Sequence, residues 1–234
     1  MFTFTAFRAI DEPELCKKFV EGHANVLKEY GVTKVTSSNN DWVNNPYVFV
    51  VTVQEDTTGQ VVSGLRIHIS HEDYQLPLEG AIAQVDSKIS DLVAEYRKIG
   101  TGEIGGLWNS RAISGYGIGA LFLSRTSLVI ADQLNVPTLF ALCAEYTLKP
   151  TLQKGFEIEE KIGNKGTFFY PKLDLVATLA VLKDVKNLPL ALKEEQNYIF
   201  DLRQNLETTR DEETPKGIVR IKYKLKIKNS DWRN

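Results

Sequence analysis

Two periods alternate along this chain, one of two residues and one of three to four, and together they describe an α/β protein. Thr3 to Ile10 reads as a strand, and Asp11 followed by Glu14, with Pro13 in the first turn, marks a helix start. Leu15, Phe19, Val26, Leu27 and Tyr30 keep one face of that helix apolar to its end near Tyr30, and His23 sits among polar neighbours, where a solvated side chain is expected. Tyr47 to Gln54 and Val61 to Ser70 are β-rich runs joined by EDTTG, which predicts a hairpin. In the second run Leu65, Ile67 and Ile69 alternate with Arg66, His68 and Ser70, so one strand face is apolar and the other polar. Ile82, Val85, Ile89, Leu92, Val93 and Tyr96 predict a helix from Glu79 to Gly100, with Pro77 before it.

The stretch from Glu103 to Asp132 organises the rest. It reads as a short strand, a loop ending in Gly115, Gly117 and Gly119, and a long helix. Ile118, Leu121, Phe122, Arg125, Leu128, Val129 and Asp132 keep the helical spacing, and Leu123, Ile130 and Leu134 add apolar surface on other faces, which predicts a mostly buried helix. Its first turn leaves N–H groups unpaired at the positive end of the helix dipole, and glycines let a ligand approach them, so residues 115–120 form a candidate anion site. No lysine follows the glycines, which excludes the P-loop form. A dinucleotide fingerprint needs its strand directly before the first glycine, and here Asn109 to Ser114 intervene. The alternative that needs no ligand is a plain glycine-rich turn.

Beyond that helix, Asn135-Val136-Pro137 turns the chain into a buried strand from Thr138 to Cys143. A short helix from Lys149 to Lys154 and Gly155-Phe156-Glu157-Ile158 follow. Leu173 to Leu182 is apolar, Pro189 to Leu206 reads as a helix, and ETTRDEETPKG at 207–217 reads as a charged loop. Val219, Ile221, Tyr223, Leu225 and Ile227 then alternate with Arg220, Lys222, Lys224, Lys226 and Lys228. The outward lysines read first as protection of a β edge, and otherwise as a basic stripe for a nucleic acid or an acidic carrier protein.

Composition narrows the function classes. At 234 residues and 43% hydrophobic content a single sizeable core is expected. A net charge of −2 and a pI near 6.0 argue against a general nucleic-acid binder. Cys16 and Cys143 lie far apart without metal-ligand spacing, and neither a signal-like start nor an apolar run of about 18 residues is visible, so a reducing, cytoplasmic setting without a membrane span is expected. His68 and His71 have no third ligand at a supporting spacing, so no metal is expected; His68 reads better as an acceptor-site or proton-relay residue. Trp42, in the turn-rich segment TSSNNDWVNN between Val35 and Pro46, either walls a pocket or anchors its loop to the core.

Glu103-Ile104-x-x-Leu107-Trp108-Asn109, five residues, then Gly115-x-Gly117-x-Gly119 with apolar Leu121 and Phe122, resembles the core motif of the GCN5-related N-acetyltransferase (GNAT) superfamily. The resemblance implies an α/β fold with a mixed central sheet and flanking helices over residues 1–172, and a C-terminal α/β extension over 173–234. It implies transfer of an acyl group, from acetyl-CoA or another acyl-CoA as co-substrate, to an amine of a small-molecule acceptor. In the family the diphosphate of coenzyme A lies on the glycine loop and the pantetheine arm in a gap between splayed strands, which maps cofactor contacts to Leu107, Trp108, Asn109, Ser114, Gly115, Tyr116, Gly117, Ile118, Gly119 and Ala120. Ser114 stands where the family usually has arginine or glutamine, and Arg111 lies three residues earlier. Glu103 matches a general-base position, and a backbone N–H at Leu107 or Asn109 would polarise the thioester. Thr151 occupies the position of the usual thiolate-protonating tyrosine, with Tyr146 five residues before it as the substitute. Trp42 and His68 fall on the acceptor side. The helical insertion at 79–100 is similar in placement to the acyl-homoserine-lactone synthase and N-acyl amino acid synthase branches, whose members can use an acyl-carrier protein. Leu123-Ser124-Arg125 is also similar to a helix of arginine N-succinyltransferases. The rival class is a fold relative that binds a cofactor or protein partner without turnover.

Overall fold

A computed structural model describes residues 1–29, 40–170, 175–228 and 230–231. Tyr30, residues 35–39 of the turn-rich segment, and the boundary expected between 172 and 173 lie outside the described residues. The elements are β1 (Phe2–Arg8), α1 (Pro13–Glu29), β2 (Val48–Glu55), β3 (Val61–Ile69), α2 (Pro77–Ile82), α3 (Lys88–Arg97), β4 (Thr101–Asn109), α4 (Ser124–Gln133), β5 (Thr138–Ala144), α5 (Glu145–Gln153), β6 (Glu157–Ile158), β7 (Thr167–Phe169), β8 (Val176–Leu182), α6 (Lys193–Gln204), β9 (Glu207–Thr214) and β10 (Gly217–Lys224). Ten strands form one mixed sheet in the order β6-β8-β5-β4-β3-β2-β1-β10-β9, with β7 also on β8. β4 and β5 are parallel, as are β1 and β10, and the other pairs are antiparallel.

The alternation in each strand decides which layer it feeds. Phe4, Val51, Leu65 and Ile67 point to the face covered by Phe122, Leu128 and Val129 of the central helix and by Ile199 and Leu202 of α6. On the opposite face Phe19 of α1 meets Trp42 and Trp108, while Leu78, Ile82, Ile89 and Val93 of α2 and α3 cover Phe140 and Leu179. With about 25 cal/mol per Å² of buried apolar area, these two layers supply the main driving force for folding. α6 is tied to α4 by a buried bidentate pair, Arg125 to Glu195 at 2.8 and 2.6 Å, with Tyr198 stacked 4.1 Å from the guanidinium. Among the described residues no helix is long and apolar enough to cross a membrane.

Several expectations are corrected here. The helix expected from Glu79 to Gly100 is two helices, because Asp86 accepts hydrogen bonds from Lys88 N and Gly163 N and starts α3 afresh; Val85 falls in the break and is 54% exposed. The segment expected as a charged loop is β9 and its turn. Its exposed and inward positions alternate, Asp211 faces Arg220 across the ladder at 2.7 and 2.8 Å, and β9 forms the sheet edge. The lysines of β10 therefore do not guard an edge, since β10 lies between β1 and β9. The polar face of β3 is buried rather than wet, covered by α1 and α2. His23 is buried too, between Phe19 and Trp108 at ring distances of 6.1 and 6.4 Å, and burial first, then nearby Arg66, lowers its pKa to about 4.

Candidate active site

Parallel strands β4 and β5 stay paired from Thr101 opposite Thr138 to Ile104 opposite Ala141, and there the ladder stops. β4 runs on to Asn109 and β5 to Ala144, so a cleft with unpaired backbone opens between them. Just past the split, β4 carries a bulge. Arg66 of β3 faces Gly105 and Gly64 faces Trp108, so the single residue Leu65 stands opposite both Gly106 and Leu107. Gly106 takes φ +59°, a backbone that favours glycine. A bulge releases a backbone N–H from the ladder, which makes it available to an oxygen in the cleft.

At the open end of the cleft the chain leaves β4 through a short turn into the glycine loop. Gly117, at φ +68°, caps the central helix, whose first turn, Ile118–Leu123, is π-helical before α4 continues it. Ser114 N donates to Arg111 O and Tyr116 N to Ile113 O, so these two amides serve the loop itself. The first intrahelical bonds run from Leu121 N and Phe122 N to Gly117 O. The N–H groups of Ile118, Gly119 and Ala120 precede them, at the positive end of the dipole. A Cβ at Gly119 would stand 2.2 Å from the Asn109 carboxamide, which Ser63 Oγ holds from 2.6 Å. Lys216, in the β9–β10 turn, reaches the same loop; its Nζ is 5.0 Å from the Tyr116 ring centroid and Cε would be 2.8 Å from a Cβ at Gly115. A polar cavity of about 360 Å³ beside the loop is lined by Tyr116, Lys216, Arg220 and Glu55, among others.

The third part of the site is a cluster of buried charged groups on the α1–α2 face. Glu103 and His68 sit directly opposite each other on β4 and β3. Glu103 is 4% exposed, and its Oε2 accepts the Leu78 N–H at 2.8 Å, in the first turn of α2. Burial pushes its pKa up to about 8, against the opposing effects of that hydrogen bond and of Arg66, while Glu79 pushes it further up. Glu79 is buried as well; its Oε2 accepts Leu76 N at 2.8 Å and lies 4.0 Å from Arg97 Nη2, whose Nε bonds Ser70 Oγ at 2.7 Å. His68 Nε2 is buried without a hydrogen-bond partner among the described residues, and burial, then Arg66, holds the imidazole neutral far below its ordinary pKa. Arg66 is 1% exposed, its guanidinium 4.5 Å from the Trp42 ring centroid and 5.7 Å from that of Phe19.

The fold thus brings Glu103 and His68 face to face, buries Trp42 in the α1 layer against Phe19 as the anchor of its segment, and places Asn109, Ser114, Gly115, Tyr116, Gly117, Ile118, Gly119 and the Ala120 backbone at the open end of the cleft. Leu107 lies in the bulge. Trp108 turns its indole away, into the α1 layer against Phe19 and His23. Tyr146 stands apart on the second position of α5, 84% exposed, and Thr151 Oγ1 donates inward to Thr147 O. Among the described residues no cluster of three or more His, Cys, Asp and Glu side chains could hold a metal ion. Sequence reasoning missed Arg66 and the pair Gly105-Gly106. Two adjacent glycines inside a strand are a bulge signal, and an arginine on an otherwise apolar strand calls for a buried partner.

No family model and no curated protein matches this chain by sequence. Solved structures do match. FeeM, an N-acyl amino acid synthase from uncultured soil microbes, superposes with a TM-score of 0.58 at 14% identity, over 82% of this chain and 96% of its own. ElaA of Escherichia coli gives 0.53 at 11% identity, over 77% and 99%. MesI, a CoA-dependent acyl-homoserine lactone synthase, gives 0.51 at 14% identity, over 86% and 95%. With its mixed sheet, split central strands and glycine loop, the chain has the fold of the GNAT superfamily.

Proposed function

We propose that this chain is an N-acyltransferase that moves an acyl group from an acyl-CoA, acetyl-CoA or a longer homologue, to the amine of a small-molecule acceptor. The observation that carries this reading is the coincidence of the β4–β5 cleft, the Gly106 bulge and buried Glu103 at one end, and the open helix amides at the other. In this reading the amides of residues 118–120, with Lys216 nearby in place of the usual loop cation, hold the diphosphate of coenzyme A. The pantetheine arm bonds the free backbone edges of β4 and β5.

The chemistry follows from the groups present. The neutral amine attacks the thioester carbonyl carbon, a C–N bond forms, and charge develops on the carbonyl oxygen, where a bulge N–H donates. The amine proton passes to Glu103, directly or through water; a base whose pKa is about 8 accepts it better than an ordinary carboxylate. The C–S bond then breaks and the thiolate takes a proton from solvent, because Tyr146, 84% exposed on α5, is not held in the site. Neutral His68, opposite Glu103, faces the acceptor side in this reading. The second reading, an acyl-carrier-protein-dependent N-acyl synthase, is favoured by α2 and α3, which cover the acceptor face as an insertion, and by the likeness to an N-acyl amino acid synthase.

Calorimetry with acetyl-CoA and free CoA, repeated on Gly117→Glu, tests the donor. The new Cβ would make only ordinary contacts, 3.8 Å or more from Leu121 and Pro215, although φ +68° strains it. Saturable binding by the parent chain, lost in the variant, supports the diphosphate site. No binding by the parent chain sinks the CoA reading and favours the carrier-protein one.

A further inference from the structure

We propose that Arg66 is the positioning residue of this site, its guanidinium orienting the Glu103 carboxylate and holding the β4 bulge in shape. The consequence for acyl transfer rests on the function proposed above; the coupling between the two side chains does not.

Register and close approach carry the inference. On β3, Arg66 is paired with Gly105 and His68 with Glu103. The Glu103 side chain leans forward along its strand, so that a Cβ at Gly105 would stand 3.3 Å from Oε1. The Arg66 side chain crosses the same stretch, and a Cβ at Gly106 would stand 2.6 Å from Nε, 2.8 Å from Nη2 and 3.0 Å from Cζ. The acid and the guanidinium therefore converge on the Gly105-Gly106 floor, which has room for them because neither residue carries a side chain. Trp42 and Phe19 close over the guanidinium from the α1 side and stop it from swinging out to water.

Charge accounting points the same way. Glu103 is faced by Arg66 and neutral His68 from β3, and by the Leu78 N–H and Glu79 from α2, whose own partner is Arg97 of α3. From α1, Cys16 and His23 face Arg66 rather than Glu103. Among the described residues Arg66 is the cation that acts on Glu103. A carboxylate this buried ionises only with such a partner, and it must ionise to accept a proton. An arginine suits the place because its planar fork can lie flat on Gly106, stack on Trp42 and remain charged.

The test uses the full chain with Arg66→Met and Arg66→Lys. The carboxyl ¹³C resonance of Glu103, identified by its loss in Glu103→Gln, is titrated in each. Losing a nearby opposite charge raises a carboxyl pKa, so Arg66→Met is expected to raise the midpoint by about one unit and Arg66→Lys to restore most of it. The acid limb of kcat/KM for acyl transfer should move with it, about tenfold in rate per unit below the midpoint. An unmoved midpoint in Arg66→Met overturns the proposal. A moved midpoint without acyl transfer to any amine upholds the coupling and overturns the function instead. Should Arg66→Met not fold, Trp42→Leu, which frees the guanidinium, decides: a smaller upward shift is expected, and none overturns the proposal.

Discussion

The two faces of the central sheet bury charge in opposite ways. On the α4–α6 face, Arg125 and Glu195 meet fork to fork at 2.6 and 2.8 Å, and although burial works against it, the arginine holds Glu195 below its ordinary pKa. On the α1–α2 face, Glu103 has a single backbone donor on Oε2, His68 Nε2 has no partner among the described residues, and both groups are pushed toward neutrality. A satisfied pair holds elements together. Glu103 and His68 are instead shifted by burial and incompletely paired, and in the proposed reaction Glu103 is the group that exchanges a proton. The difference teaches that burial of charge alone does not mark a site; how completely the buried groups are paired is what separates the two faces.

The sharpest way to break that comparison is to neutralise one carboxylate on each face. Glu103→Gln is expected to lower kcat by about 10²–10⁴, the usual worth of a positioned base, with CoA affinity unchanged by calorimetry; unchanged turnover would remove Glu103 from the mechanism. Arg125→Met should instead leave turnover per folded molecule intact and cost about 3–5 kcal/mol of stability in urea unfolding, because Glu195 is left buried and unpaired. If Arg125→Met lowers kcat as strongly as Glu103→Gln does, the two faces do not differ in kind.

Their pH dependences should also have opposite signs. Glu103 has a raised pKa, so the folded chain binds the extra proton between about 4.5 and 8; its contribution to stability is complete below about 4.5 and lost as pH rises through about 8. Glu195 is lowered, so its contribution is present above about 4.5 and lost on further acidification. Subtracting the urea midpoints of Glu103→Gln and Glu195→Gln from those of the parent chain, pH by pH, reads each contribution separately. Equal slopes would show that the two carboxylates sit in similar environments. His23, lowered to about 4, adds stability above about 6.5 that is lost as pH falls toward 4, and His23→Phe should flatten that limb.

The smallest effect is expected at the open end of the cleft, where charge meets water. Lys216 is exposed, so Lys216→Glu should weaken CoA binding by about 1 kcal/mol or less, and more at low salt than at high. No change at low salt would remove the β9–β10 turn from the binding site.

Much of this was legible in the residues themselves. The strand, glycine loop and helix from Glu103 to Asp132 are read from local spacing, because a helix first turn and a positive-φ glycine are local devices. The inward set Ile221, Tyr223, Leu225 and Ile227 was equally plain, since alternation survives whatever the strand pairs with. Where the reading failed, distant chain supplied the answer. Asp86 breaks one helix into two by reaching Gly163, and ETTRDEET becomes a strand because β10 offers it a ladder. His23 and the polar face of β3 looked solvated because no local pattern says that α1 and α2 will cover them.

The sequence by itself determined the α/β alternation of its first two thirds, the apolar faces and the place of the glycine loop, because each depends on contacts within a few residues. The tertiary structure alone decided where β4 and β5 part, that Arg66 and Glu103 share the Gly105-Gly106 floor, and which buried charges are satisfied. Those features depend on register and on desolvation by segments far away in sequence, and a pattern of residue types does not carry either.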